Sequence, residues 1–183
     1  MMEEVNRPDM NTKQSHRFPR ARRRVLISAG AVAALSLAVS AGAAVREHEE
    51  LRNDMSLCRA DKGPALLVTV DGIKATSGSI RVQSYRATSA EWLQSGRWIS
   101  RIEVPARAGT MTFCVPLPAS GTYGIAVRHD VNGNGKTDIS SDGGAMSNNP
   151  PINLFNLGKP SYTKVGVPVG NEVKSIRVQM RYM

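Results

Sequence analysis

The plainest pattern in the chain lies at its end, where Ile176, Val178, Met180 and Tyr182 alternate with Ser175, Arg177, Gln179 and Arg181. A period of two puts the first set on one face and the second on the other, as a strand with one buried and one wet face requires. Trp98, Ile102 and Val104 oppose Arg101 and Glu103 in the same way, and Ile80 and Val82 oppose Arg81 and Gln83. Short β-branched runs separated by Gly, Pro, Asn or Asp predict seven strands, at 65–70, 79–85, 97–104, 110–115, 123–130, 161–169 and 172–182. Asp71-Gly72 and Gly170-Asn171 suit turns. Only Ser89–Gln94 reads as helix, for a turn or two. The fold class is therefore all-β, a seven-stranded antiparallel sandwich of the immunoglobulin or transthyretin type.

A different texture precedes it. Val25 to Val45 carries no charge and follows Arg20, Arg22, Arg23 and Arg24, the layout of a signal sequence. Its end at Ala41-Gly42-Ala43 suits cleavage after Ala43. Left uncleaved, the same 21 residues are long enough for a hydrophobic anchor helix across roughly 30 Å of bilayer. In both cases the arginines stay inside and the rest is delivered across the membrane, so the expected location is periplasmic or secreted. Arg22-Arg23-Arg24 fits a twin-arginine signal loosely, and the ordinary secretory route is equally open. The organisation that follows is signal peptide or membrane anchor at 1–45, linker at 46–64 and β-sandwich at 65–183.

Charge changes the picture less than its total suggests. The formal net charge is +9, but residues 1–45 hold seven Lys/Arg against three Asp/Glu, leaving 17 against 12 for the rest. That remainder is spread over strands outside the cytoplasm, which argues against nucleic acid as a partner. Membrane contact is expected only through an uncleaved N-terminal segment.

Cys58 and Cys114 are the two cysteines. Cys114 falls on the strand face opposite Met111, Phe113 and Val115, where the N-terminal segment can cross it, and in an exported chain a Cys58–Cys114 disulfide is the expected state. Zinc on Cys58, Cys114 and His129 is a weaker reading, because no close-spaced ligand pair exists.

The segment with the most chemistry is Asp130-Val-Asn-Gly-Asn-Gly-Lys-Thr-Asp-Ile-Ser-Ser-Asp142. Asp130, Asn132 and Asn134 stand at positions 1, 3 and 5 of an EF-hand-like calcium loop, Gly135 at the sharp turn, the Lys136 carbonyl at 7 and Asp138 at 9. Position 12 is Ser141 instead of a bidentate Glu, with Asp142 one residue on. Two neutral amides and a displaced final ligand place any Ca²⁺ affinity in the weak extracellular class, around 10⁻⁴ to 10⁻³ M. The same residues are good turn formers, and Asx turns could hold the loop with no ion. The connection runs on to Pro160 without a strand, and Ile152, Leu154, Phe155 and Leu157 suggest that part of it folds back onto the sandwich.

His129 shares a face with Tyr123, Ile125 and Val127, so it reads first as a hydrogen-bonded anchor. A hydrolase would need it as general base with Asp130 on the wrong face, and no G-x-S-x-G elbow appears. Paired carboxylates for glycoside hydrolysis are absent outside the loop. Trp92 and Trp98 could form a sugar-stacking platform or serve as packing.

The run Gly121 to Asp138, with Ser147-Asn148-Asn149 and Pro160-Ser161-Tyr162, resembles the bacterial exported family catalogued as domain of unknown function 2141 (DUF2141). The resemblance covers roughly Leu66 to Tyr182 and implies secretion and a β-sandwich, with no established activity. Commoner members carry a longer insert after the last Asp, where this chain has Asp142-Gly143-Gly144-Ala145-Met146. The functional expectation is an exported envelope module, structural or binding, with an envelope protein or a glycan as partner. Its alternatives are a carbohydrate-binding module or a hydrolase using His129.

Overall fold

Ten strands, a four-residue 3-10 helix at Met55–Cys58 and one four-residue α-helix make up the regular structure of the described residues, which in this computed structural model are 48–151 and 158–183. The signal or anchor segment and residues 152–157 lie outside them. No helix among the described residues is long and apolar enough to cross a membrane.

In chain order the strands are β1 (Glu49–Leu51), β2 (Ala65–Ile73), β3 (Ser79–Arg86), β4 (Ser100–Pro105), β5 (Gly109–Pro116), β6 (Gly121–Asp130) and β7 (Gly143–Met146). After helix α1 (Tyr162–Val165) come β8 (Val167–Val169), β9 (Val173–Gln179) and β10 (Arg181–Tyr182). They form two sheets. The larger runs β1-β4-β3-β6-β7-β10 with β8 also on β6, and the smaller runs β5-β2-β9.

Both sheets are mixed where a wholly antiparallel sandwich was expected, because β1 pairs parallel to β4 and β9 parallel to β2. The strand count exceeds seven for local reasons. Glu49–Leu51 adds a strand within the stretch read as linker, and Gly143–Met146 adds one that its glycines conceal. The stretch 161–169 divides into a helical turn capped by Ser161, whose hydroxyl accepts from the Thr163 N–H, and then β8. The final run divides at Met180, whose N–H donates to the Asp71 carbonyl as the chain leaves one sheet for the other. Asp71-Gly72 is a bulge inside β2 and not a turn: the register with β5 shifts between Val70 and Ile73, and Gly72 has φ +75°. Ser89–Gln94 forms successive turns instead of a helix.

The core lies between the two sheets. Leu66, Val68 and Val70 of β2, with Met111, Phe113 and Val115 of β5, meet Ile80 and Val82 of β3, Ile102 of β4 and Tyr123, Ile125 and Val127 of β6. Each set keeps the period-two spacing that the sequence predicts. Ile99 takes the inward place assigned to Trp98, which lies under Arg101. A second cluster covers the outer side of the large sheet, where Trp92 packs with Tyr85, Met146 and Val165 over Gly124.

Both outer edges of the small sheet are closed by a single asparagine side chain. Asn53 donates to the Thr112 carbonyl at 2.9 Å and accepts from the Cys114 N–H at 3.0 Å. Asn149 does the same on β9, donating to the Arg177 carbonyl at 3.1 Å and accepting from the Gln179 N–H at 2.7 Å. Each amide stands where the peptide of a neighbouring strand would, which blocks edge-to-edge pairing at that register.

Candidate functional site

The loop between β6 and β7 starts from a strand that points successive side chains to opposite faces. His129 therefore faces the core, while Asp130, 2% exposed, heads the loop. One Asp130 oxygen accepts the Asn134 N–H at 3.2 Å, and the other accepts the Gly135 N–H at 2.8 Å and a guanidinium N–H of Arg128 at 3.3 Å. Gly135 has φ +76°, so the sharp turn falls at the sixth position of the motif. Asn132 Oδ1 accepts from Asn134 N–H at 3.1 Å and Asn134 Oδ1 from Lys136 N–H at 2.7 Å, two successive Asx turns. Both amide groups donate to Asp138 Oδ2, at 2.9 and 2.6 Å. Those two donors hold the Asp138 carboxyl below the usual range.

Asp142 closes the loop. Its oxygens accept from Val131 N–H at 3.1 Å and Asp138 N–H at 2.9 Å. Arg128 clamps the outside through the Gly135 carbonyl and the Thr137 hydroxyl. The six residues singled out in the sequence, Asp130, Asn132, Asn134, Lys136, Asp138 and Asp142, thus form one connected network, which Lys136 enters through its N–H. That network is made of hydrogen bonds. Among the described residues no group of three or more His, Cys, Asp or Glu side chains is gathered closely enough to hold a metal ion. A cation here would draw its remaining ligands from the amide and carbonyl oxygens, and each Asn Oδ1 that accepts one N–H keeps a second lone pair.

His129 is fully buried. Its Nε2 lies 2.9 Å from the Ser77 carbonyl, which can only accept, so that nitrogen carries the proton. Nδ1 then accepts from the Tyr182 hydroxyl at 2.7 Å, and that hydroxyl accepts from Lys74 N–H at 3.1 Å. Both nitrogens are engaged within the protein, so the imidazole ties the β2–β3 turn to the last strand. Burial raises the Tyr182 hydroxyl above the ordinary phenol range, against the pull of the Lys74 N–H.

Cys58 and Cys114 are joined in a disulfide with Cα atoms 5.6 Å apart, which rules out zinc on that pair. Trp92 and Trp98 form no shared platform. Trp92 is buried and donates its indole N–H to the Pro160 carbonyl at 2.8 Å, and the ring of Trp98 is covered by Arg101.

Ser147-Asn148-Asn149 proves to be a structural knot whose role the sequence did not disclose. Ser147 Oγ accepts from Ile125 N–H and donates to the Val165 carbonyl at 2.6 Å. Asn148, at φ +63°, donates to the Lys164 and Gly166 carbonyls. Together with the β9 contacts of Asn149, three consecutive residues bind β6, α1 and the small sheet.

The fold and site define a β-rich, disulfide-bridged protein with a long ordered loop. Over residues 68–177 the chain matches the family described as an uncharacterized protein conserved in bacteria, DUF2141, and it belongs to that family. No curated protein and no solved structure matches it.

Proposed function

We propose that the chain is an exported module of the bacterial envelope, an immunoglobulin-like sandwich with a binding or structural task, whose Asp130–Asp142 loop takes up Ca²⁺ from the medium. Export is supported by the disulfide, since such bonds persist in oxidising compartments. The immunoglobulin-like reading is supported by the pairings β2–β5 and β4–β3–β6, which follow the B–E and C′–C–F pattern. It is supported further by Tyr123, whose hydroxyl near the start of β6 donates to the Ala119 carbonyl four residues back, as a tyrosine corner does.

One observation carries the calcium reading: the loop is already wound by its own N–H groups onto oxygens of Asp130, Asn132 and Asn134. The entropy of ordering the loop is then met before an ion arrives. Calcium at about 5 mM should stabilise the protein by about 1 to 2 kcal/mol if the affinity is in the millimolar to submillimolar class. Asp138→Ala should abolish that rise and leave the melting temperature in EGTA near wild type, because Asp138 Oδ2 accepts only from exposed side-chain amides. No calcium-dependent rise in the wild-type protein would end this reading. A glycan platform finds less support, because Trp92 is buried and Arg101 lies over the ring of Trp98.

A further inference from the structure

We propose that Asn132 is a self-modifying site: it loses its side-chain amide through attack by the Gly133 nitrogen and becomes aspartate or isoaspartate, while Asn134, in the same dipeptide, is protected. The conversion itself does not depend on calcium.

The chain contains two Asn-Gly dipeptides, Asn132-Gly133 and Asn134-Gly135, both in this loop. Such a pair reacts because glycine puts no side chain beside its nitrogen. That nitrogen gives up its proton and attacks Cγ of the asparagine. A C–N bond forms, the bond from Cγ to Nδ2 breaks, and the amide leaves as ammonia with the released proton. Water then opens the succinimide ring. Attack at Cγ restores the main chain and leaves aspartate, whereas attack at the other carbonyl leaves isoaspartate, with the main chain routed through Cβ and Cγ. Water is the only co-reactant, and both asparagines and both glycines are exposed.

The two side chains are held alike. Each Oδ1 accepts the N–H two residues on, at 3.1 Å for Asn132 and 2.7 Å for Asn134, and each Nδ2 donates to Asp138 Oδ2. Both Asx turns curl the side chain over the following peptide, and both glycines have positive φ, +69° and +76°. The nucleophiles differ. The Gly135 N–H is donated to the buried Asp130 carboxylate at 2.8 Å, so it cannot lose its proton or turn onto Cγ without breaking a charge-assisted hydrogen bond. The Gly133 N–H has no hydrogen-bond partner among the described residues. Of two identical dipeptides, the fold leaves one reactive.

The product changes the charge of the loop. Asn132 Nδ2 lies 2.9 Å from Asp138 Oδ2, so an aspartate at position 132 sets a carboxylate oxygen against a carboxylate oxygen where a donor stood. A cation between the two relieves that repulsion. On the calcium reading above, on which this consequence alone rests, the third position of the motif gains a charged ligand, and the loop passes with age from a weaker to a stronger calcium form.

The test holds the full chain at neutral pH and samples it over weeks. Peptide mapping by tandem mass spectrometry follows the two sites separately, and an isoaspartyl methyltransferase counts the isoaspartate. Asn132 should convert at least about tenfold faster than Asn134, the factor expected from one hydrogen bond to a charged group. Asp138→Ala, which frees both amides from their shared acceptor, should speed both sites and keep their order. In urea with reductant the loop is lost and the two rates should draw together. Equal rates in the folded protein, faster conversion at Asn134, or a difference that persists in urea would overturn the proposal. Calcium titration of Asn132→Asp against wild type separates the consequence from the conversion: the affinity should rise about fivefold or more. If neither protein binds calcium, the ion reading fails and the mapped conversion stands; if wild type binds and the variant binds no tighter, the gain of a charged ligand is overturned.

Discussion

The Tyr182 hydroxyl reaches across Gly143 to donate to Nδ1 of His129 at 2.7 Å. His129, Gly143 and Tyr182 are register partners on three adjacent strands, and a Cβ at the middle position would fall 2.6 Å from Cζ of the tyrosine. The absence of a side chain at Gly143 therefore lets the last strand bond to the centre of the sheet. His129 is thus a hydrogen-bonded lock between the β2–β3 turn and the last strand.

That lock can be measured. Tyr182→Phe keeps the ring and removes the hydroxyl, leaving a buried imidazole nitrogen without its donor and the exposed Lys74 N–H to water. The cost should be about 1 to 3 kcal/mol, read as a lower urea midpoint with an unchanged slope. A loss under about 0.5 kcal/mol would mean that the hydrogen bond contributes nothing net.

Two glycines on the outer face of the same sheet should respond in opposite directions to the same change. At Gly124 an added Cβ would lie 2.6 Å from Cζ3 of Trp92, whose indole is held by Pro160, so Gly124→Ala should cost about 1 to 3 kcal/mol. At Gly144 the nearest atom is 3.9 Å away and φ is not positive, so Gly144→Ala should be neutral or stabilise by up to about 1 kcal/mol. Thermal melts of the two variants decide it. Equal destabilisation would show that the strand tolerates no side chain there for some other reason.

How far these contacts were legible follows from the range of the signal. Alternation in β3, β5, β6 and the C-terminal run announces a buried face, and the faces of Ile80, Val127 and Val178 are as expected. The crossing at Met180 leaves no trace in that alternation, because a side chain pointing inward from one sheet still points inward after the chain joins the other. β7 was hidden because Gly143-Gly144-Ala145-Met146 has no strand propensity, and its place is fixed by what Tyr182 and Arg128 need beside them. The Asx turns of the loop were legible as one of its two readings, since Asp and Asn at alternate positions bond locally. The partners of His129 and Asn149 were not, since they lie 53 and 30 residues away.

The disulfide closes a loop over a sequence separation of 56, which removes about 4 kcal/mol of unfolded-state freedom in the chain-entropy picture. Reduction should lower the unfolding free energy by roughly that amount, less any strain released. The Cys58→Ala, Cys114→Ala double variant should match the reduced protein, with Asn53 still on the edge of β5. If reduction leaves the denaturation curve unmoved, the cross-link is dispensable for stability.

Acid should weaken the fold through two carboxyls. The Asp71 carboxyl is held below its usual range first by the Thr110 hydroxyl at 2.8 Å and then by Arg177, against some burial. For Glu103, burial alone would raise the value, but Arg81 at 2.7 Å and Ser79 at 2.7 Å outweigh it, so this carboxyl too lies low. A folded value below the unfolded one means that each group's stabilisation is complete above the unfolded value, near pH 4, and is lost as pH falls through the folded value. The melting temperature should thus hold from pH 7 to about 5 as far as these groups are concerned, and decline below about pH 4. Glu103→Gln should cost under about 1 kcal/mol at pH 7, since the pair is partly exposed, and its gap to wild type should narrow as pH falls below about 4 and the native carboxyl takes up its proton. A variant whose gap to wild type stays constant through the acid limb would show that the Arg81–Glu103 pair does not couple to folding.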